Sequence, residues 1–269
     1  MKINLTQFLE QTAEAARNSN PPQNGDYYGS DGLLYCGKCH TPKEVRLEQW
    51  GNIIRPAMCE CAERQYKDEL QQREREKLQK LARELRRKGL TDTAYFDYQF
   101  KNDDKSRPDI TRRCKAYVEN FARMYEQNKG LIFMGGVGTG KTFFACCIAN
   151  DLMDRGRSAW VTTMQPLLRA ASSFNTANQT FERLKTVDLL VLDDFGTTGD
   201  KYSDQLFEII DTRYRAKKPL IITTNLDAKD LNTTNPPLNK QRIFDRVRAM
   251  CAGKSEKGKI VVDGETRRK

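Results

Sequence analysis

A chain of 269 residues is long enough for one large folded core and a small appendage. Lysine and arginine outnumber aspartate and glutamate by 46 to 36, a net charge of +10 that suits a polyanionic partner and equally suits plain solubility. No apolar run reaches membrane-span length and no basic-then-apolar leader opens the chain, so a cytoplasmic protein with no membrane contact is expected. The eight cysteines divide into a cluster (Cys36, Cys39, Cys59, Cys61) and a scattered set (Cys114, Cys146, Cys147, Cys251), which fits a reducing compartment better than a disulfide framework.

Residues 1–19 read as one amphipathic helix with Ile3, Leu5, Phe8 and Leu9 on its apolar side, stopped by Asn20-Pro21-Pro22. It either packs on its own chain or serves as a partner-binding arm. Residues 33–62 hold a C-x-x-C pair at Cys36 and Cys39 and a C-x-C pair at Cys59 and Cys61, separated by a small hairpin turning near Gly51-Asn52. Four thiolates so spaced suit a tetrahedral structural zinc ion, with a redox dithiol and unmetallated thiols as the other readings. Gly37 allows a tight knuckle whose amides face the sulfurs. The apolar set of Leu34, Val45, Leu47, Trp50, Ile53 and Ile54 is too small to fold alone, so the metal would supply much of the folding free energy. His40, the one histidine, is either a neighbour of the cluster or a substitute ligand.

Residues 60–88 contain neither proline nor glycine and are dense in mixed charge, with a thin stripe of Leu70, Leu78, Leu81 and Leu85. A long solvated helix ending at a Gly89 C-cap is predicted, either a spacer or a seam for a partner helix. An aromatic stretch from Thr91 to Phe100 and a breaker at Ser106-Arg107-Pro108 precede one amphipathic helix over 109–129. The chain then divides into 1–62 (first helix and zinc module), 63–90 (charged linker helix) and 91–269.

From Leu131 the pattern alternates: strand 131–134, helix from Lys141, strand 158–163, helix 165–173, strand 187–193, helix 202–215, strand 220–224, helix 239–251, strand 259–262. Apolar strand runs separated by amphipathic helices predict an α/β fold with a parallel sheet covered on both faces, whose nucleotide site lies at the carboxyl ends of the strands. The first strand runs into Gly135-Gly-Val-Gly-Thr-Gly-Lys141-Thr142, a phosphate loop. Glycines let successive N–H groups converge on phosphate oxygens, and the following helix points its positive end at the same anion. Lys141 then reaches the β and γ phosphates, and the Thr142 hydroxyl ligates Mg²⁺. Cys146 and Cys147 on that helix read as small buried thiols.

Three more signals sit at strand ends. Val187–Leu192 runs into Asp193-Asp194: the first carboxylate can hold Mg²⁺ opposite Thr142, and the second can polarise the attacking water. The strand 220–224 ends in Asn225, either an ordinary strand-end amide or a group that positions the same water. Arg242 and Arg246 lie one helical turn apart, as a surface salt-bridge face or as an arginine finger for a neighbouring subunit.

GGVGTGKT, VDLLVLDDFG, IITTN and RIFDRVR, in that order, resemble the DnaC/DnaI helicase-loader branch of the AAA+ ATPases, close to the transposition helper IstB; the match covers about residues 91–269. The amino terminus resembles the zinc modules of DnaI-like and phage-borne loaders. The resemblance implies an AAA+ sheet without a full carboxy-terminal lid, and an ATPase. Gly135, Gly136, Val137, Gly138, Thr139, Gly140, Lys141, Thr142 and Phe143 would hold ATP, and Asp193 and Asp194 would form the Walker B pair. Asn225 would be sensor 1, Arg246 or Arg242 the finger, and Arg267 a sensor 2 candidate. Asp194 stands where many AAA+ enzymes carry Glu. The implied function is ATP-dependent delivery of a hexameric DnaB-type replicative helicase to single-stranded DNA by a self-assembling, ATP-bound loader. Arg169, Phe174, Arg183, Lys185 and Lys201-Tyr202 are candidates for the DNA surface. The alternatives are a transposition helper, and a zinc-bearing adaptor that binds ATP without turnover.

Overall fold

The computed structural model describes residues 11, 14, 15, 18, 21–23, 25–196, 202–226, 238–252, 258–264 and 266. Most of the expected helix over 1–19 therefore lies outside the described residues. The chain divides into two compact units, Met1–Lys77 and Leu78–Lys269.

The first unit is built from two short antiparallel pairs. Strand β1 (Tyr27–Tyr28) pairs with β2 (Leu34–Tyr35), and β3 (Glu44–Leu47) pairs with β4 (Ile53–Pro56) in the register Leu47↔Ile53. The β3–β4 hairpin turns through a 3₁₀ segment, Glu48–Trp50, then Gly51 and Asn52, both left-handed at φ 81° and 62°. That is the turn chemistry expected at this Gly-Asn pair. Gly37 is needed for a reason beyond the knuckle: a Cβ there would sit 1.9 Å from the Gly25 carbonyl oxygen.

The described side chains of the apolar set do not collapse into a core. Leu34 is fully buried, but Leu47, Ile53 and Ile54 are half-buried and Val45 is 42% exposed. What fills the interior instead is polar. Asp26 accepts from the Gly37 and Gln23 amides and from Lys43, itself buried, at 2.6 Å. The Lys43 hydrogen bond, foremost, and the two amides pull the Asp26 carboxyl down to about 2.

Helix α1 (Glu60–Gly89) buries only Ala82 and Gly89. Leu70, Leu78 and Leu81 stay more than 40% exposed, while Leu85 leans on the core of the second unit. Gly89 is the last helical residue and not a left-handed cap. A Cβ there would meet the Ala159 carbonyl oxygen at 2.2 Å and the Met153 methyl at 2.6 Å, so glycine admits a close backbone approach. Gly89→Ala should accordingly lower stability by about 1–3 kcal/mol, the usual cost of overpacking against backbone, as a reduced urea midpoint.

Just beyond, Leu90 makes a parallel bridge to Val161, and the Thr91 hydroxyl donates to the Val161 carbonyl at 3.0 Å. The expected helix over 109–129 is two helices, α2 (Pro108–Glu119) and α3 (Phe121–Glu126), broken at Asn120. Pro108 opens α2 instead of only breaking what precedes it, because the first helical turn has no use for its missing N–H.

The second unit's sheet is parallel throughout. It comprises β5 (Leu131–Met134), β6 (Ala159–Thr163), β7 (Leu189–Phe195), β8 (Leu220–Thr224) and β9 (Lys259–Val261), in the spatial order β6-β7-β8-β5-β9. Alternate residues feed opposite faces. Leu189, Val191, Leu131 and Phe133 join Phe144, Ile148 and Leu152 of α4 (Lys141–Asp154) on one side. Leu190, Leu192, Ile132 and Ile222 join Leu167 of α5 (Met164–Ser172), Leu184 of α6 (Ala177–Thr186), Ile209 of α7 (Ser203–Arg215) and Ile243 of α8 (Leu238–Val247) on the other. The expected double-faced parallel sheet is therefore present.

Helix α6 has no counterpart in the sequence reading: its buried residues are only Thr180 and Leu184, too few to show a periodicity. Helix α8 passes into a π-helical turn, Arg248–Ala252, whose Met250 carbonyl accepts from the Gly130 amide at 2.7 Å. Among the described residues no helix is long and apolar enough to cross a membrane.

Candidate nucleotide site and metal centre

Strand β5 delivers the chain to Gly135, whose φ of 144° and closeness to the Val262 carbonyl (2.2 Å from a Cβ) exclude any side chain. Gly138 and Gly140 are also left-handed, and Gly140 caps α4. The loop opens on a cavity of about 510 Å³ lined by Val137 to Phe143 and by Asp193, Asp194, Asn225, Tyr95 and Tyr98. Lys141, only 6% exposed, donates to the Gly135 and Gly136 carbonyls (2.9 and 2.6 Å) and to Asn225 Oδ1 (2.8 Å). These three acceptors are neutral oxygens. They hold the ammonium at the mouth of the loop, where it faces the cavity.

Strand β7 carries a bulge that sets the two carboxylates. Leu192 pairs with Ile222 and Phe195 with Thr224, so Asp193 and Asp194 together oppose Thr223. Asp194 takes φ 55°, held by its N–H to the Thr223 hydroxyl at 3.0 Å. Both carboxylates then border one cavity, whereas a regular strand would turn them to opposite faces. Asp193 is buried and its Oδ1 accepts from Thr142 (2.8 Å) and Thr223 (2.5 Å), while Oδ2 accepts from the Tyr95 hydroxyl (3.4 Å). Burial raises its carboxyl above the ordinary value against the pull of those hydroxyls. Thr142 and Asp193 thus present adjacent oxygens of the hard type that Mg²⁺ takes, and the pair fits such an ion.

Lys141, Thr142, Asp193, Asp194 and Asn225 therefore converge. The arginines lie elsewhere. Arg246 pairs with Asp211 at 2.6 Å and rests over the Phe207 ring at 4.6 Å, and Arg242 lies over the same ring at 5.6 Å. Arg267 and Lys201 are outside the described residues. Of the surface candidates, Phe174 is 99% exposed, whereas Lys185 pairs with Glu182. Arg183 stacks on Trp160 at 4.0 Å and donates to the Lys88 carbonyl, and burial pulls its guanidinium down to about 10; it is a packing residue. Cys146 and Cys147 are fully buried, as expected, with thiols pushed above the usual range by desolvation.

In the first unit the Sγ atoms of Cys36, Cys39, Cys59 and Cys61 all lie within 4.8 Å of one another, with Cys36–Cys61 at 3.6 Å and Cys59–Cys61 at 3.3 Å. Four sulfurs about 2.3 Å from a tetrahedral centre would stand roughly 3.8 Å apart, so the set is consistent with zinc. The Thr41 hydroxyl, 3.1 Å from Cys39, together with the Cys61 and Thr41 amides pulls that thiol down to about 5, and the Cys39 and Lys38 amides lower Cys36. His40 packs against the Tyr27 ring instead of joining the cluster. Sequence reasoning missed Thr41 and Thr223, each a hydroxyl that takes hold of a functional atom from another element. Only Thr223, at a strand end beside the carboxylate strand, left a trace to follow.

The family profile of the IstB-like ATP binding proteins matches residues 56–257. The replicative helicase loader DnaC of Escherichia coli K12 is 32% identical over 143 residues, covering 51% of this chain and 56% of that protein. The DnaC of Buchnera aphidicola from Schizaphis graminum is 28% identical over 184 residues, covering 64% and 71%. The chain thus spans little more than half the length of the Escherichia coli relative. In fold it is similar to the crystal structure of DnaI, with a TM-score of 0.54 at 24% identity over 67% of this chain and 96% of that one.

Proposed function

This chain belongs to the family of IstB-like ATP binding proteins, homologous to the DnaC helicase loaders, and from that membership we propose that it is an ATP-hydrolysing loader of a hexameric replicative helicase. The observation that carries the ATPase part is the convergence of Lys141, Thr142, Asp193, Asp194 and Asn225 on one cavity. Lys141 would turn from Asn225 to the β and γ phosphates, which frees the Asn225 amide to orient the attacking water. Thr142 and Asp193 would hold Mg²⁺, whose charge offsets that developing on the phosphoryl oxygens. Asp194, turned outward by the bulge, would accept a hydrogen bond from the water. Arg246, with Arg242 beside it, would act as the finger on a neighbouring protomer's site, and Arg267 as sensor 2.

The names of the relatives support the helicase reading, and surface chemistry supports the single-stranded DNA reading. Phe174 is offered to solvent for base stacking, with Arg169 in the last turn of the preceding helix, α5. Zinc at the four cysteines would hold the amino-terminal unit in shape for its partner. The transposition-helper reading shares all of this chemistry and differs only in partner; co-purification with a replicative helicase separates the two.

The ATP reading is tested by two variants. Lys141→Ala should weaken ATP binding by about a hundredfold or more, roughly 2.7 kcal/mol at least. Asp194→Asn should bind ATP as the wild type does and lose about 10²–10⁴ in turnover, the range for a removed base. Unchanged affinity in the first variant, or unchanged turnover in the second, overturns the assignment of the altered residue.

A further inference from the structure

Tyr95 sits in a short 3₁₀ turn, Thr93–Phe96, whose start is capped by Asp92 accepting the Ala94 amide at 2.9 Å. The ring is 7% exposed, yet the hydroxyl borders the nucleotide cavity and donates to Asp193 Oδ2. The other oxygen of that carboxylate is held by Thr142 and Thr223. Both oxygens of Asp193 are therefore fixed, each from a different element, and Tyr95 alone reaches Oδ2 among the hydrogen bonds found there.

The turn does not float. Asn150, 1% exposed on α4, donates both amide hydrogens to the Tyr95 and Tyr98 carbonyls (2.8 and 3.0 Å), and its oxygen accepts from Arg86 Nε at 2.8 Å. A fully satisfied buried amide of this kind fixes the backbone that aims the phenol. A phenol is protonated at neutral pH, and the Tyr95 hydroxyl therefore serves as a donor.

We propose that Tyr95 is a positioning residue for the divalent cation: its hydroxyl sets the plane of the Asp193 carboxylate so that an oxygen lone pair meets the ion ligated by Thr142. The proposal rests on the reading of the cavity as a Mg²⁺–nucleotide site. Groups that orient a metal ligand from behind commonly alter metal affinity by 10–100-fold when removed, and a bond of 3.4 Å places the effect at the lower end.

Tyr95→Phe keeps the ring and deletes only the donor. With the full chain and a fluorescent N-methylanthraniloyl ATP analogue, binding is titrated in EDTA and then against Mg²⁺. The variant should match wild type in EDTA and need about tenfold more Mg²⁺ to reach the half-point of the metal-dependent gain. A purely packing role for the ring leaves that half-point unmoved, and an unmoved half-point overturns the proposal while the nucleotide site stands. If wild type itself shows no Mg²⁺-dependent gain, the reading of the cavity falls and the proposal falls with it.

Discussion

Replacing Arg213 by alanine is expected to destabilise the second unit by about 3–5 kcal/mol, read as a lowered urea midpoint of the full chain. Arg213 is a fully buried side chain on α7, and its guanidinium spends every N–H it has. Nε and NH2 donate to the Pro219 carbonyl (3.2 and 2.7 Å), NH1 to those of Leu184 and Val187 (both 2.8 Å), and NH2 also to that of Asp188 (2.9 Å). One side chain thereby satisfies the end of α6, the lead into β7 and the lead into β8. Burial pulls the guanidinium down to about 9, which leaves it charged at neutral pH. Alanine would take that donor from four carbonyls, of which Pro219's keeps the Leu190 amide at 3.3 Å; a carbonyl left with no donor costs about 1–3 kcal/mol, and release from burying a charge offsets part of the loss. Arg213→Met fills the volume without restoring a donor and should recover only the cavity part. A midpoint equal to wild type in the alanine variant would mean that water reaches these carbonyls.

The second large effect concerns metal. Removing the zinc proposed for the four cysteines, with a strong chelator on the full chain, is expected to abolish amide protection over residues 25–61 while the second unit keeps its own. Zinc binding in small modules amounts to about 10–16 kcal/mol of apparent folding free energy, far more than this unit's apolar contacts can supply. Among the described residues Leu34 is its one fully buried aliphatic side chain, and the Asp26–Lys43 pair is no substitute for a core. Hydrogen exchange measured before and after chelation, with metal content determined in parallel, gives the answer. Persistent protection over 25–61 at zero metal would show that the thiol cluster is not structural.

The phosphate loop was legible because its chemistry requires glycine at fixed spacing, and no other residue tolerates φ 144° against the Val262 carbonyl. The Asp193-Asp194 pair was legible as a pair. Its geometry was not, since the bulge arises from the register against β8 and not from the local sequence. Arg213 was invisible for a related reason: in Thr-Arg-Tyr-Arg it looks like one more solvated cation near a helix end, and only the fold closes four carbonyls around it. Tyr95 and Thr223 act across 98 and 30 residues of chain, a separation no local pattern encodes. Arg183 shows the converse. A basic residue read as a surface for DNA is spent on Trp160 and the end of α1.

Arg246 bears on how assembly and hydrolysis would be joined. Within a single chain it is already occupied by Asp211, and Asp211 also holds Arg215 at 2.7 Å. To act in trans, the Arg246 guanidinium must let go of that carboxylate, and the carboxylate is not stranded when it does, because Arg215 remains. If Arg246 is the finger proposed above, the swap would trade one ion pair for another at small cost, so an isolated protomer would keep it sheathed and a neighbour's triphosphate would draw it out. Turnover per chain would then climb with protein concentration, and Asp211→Asn, which loosens the sheath, would flatten that climb.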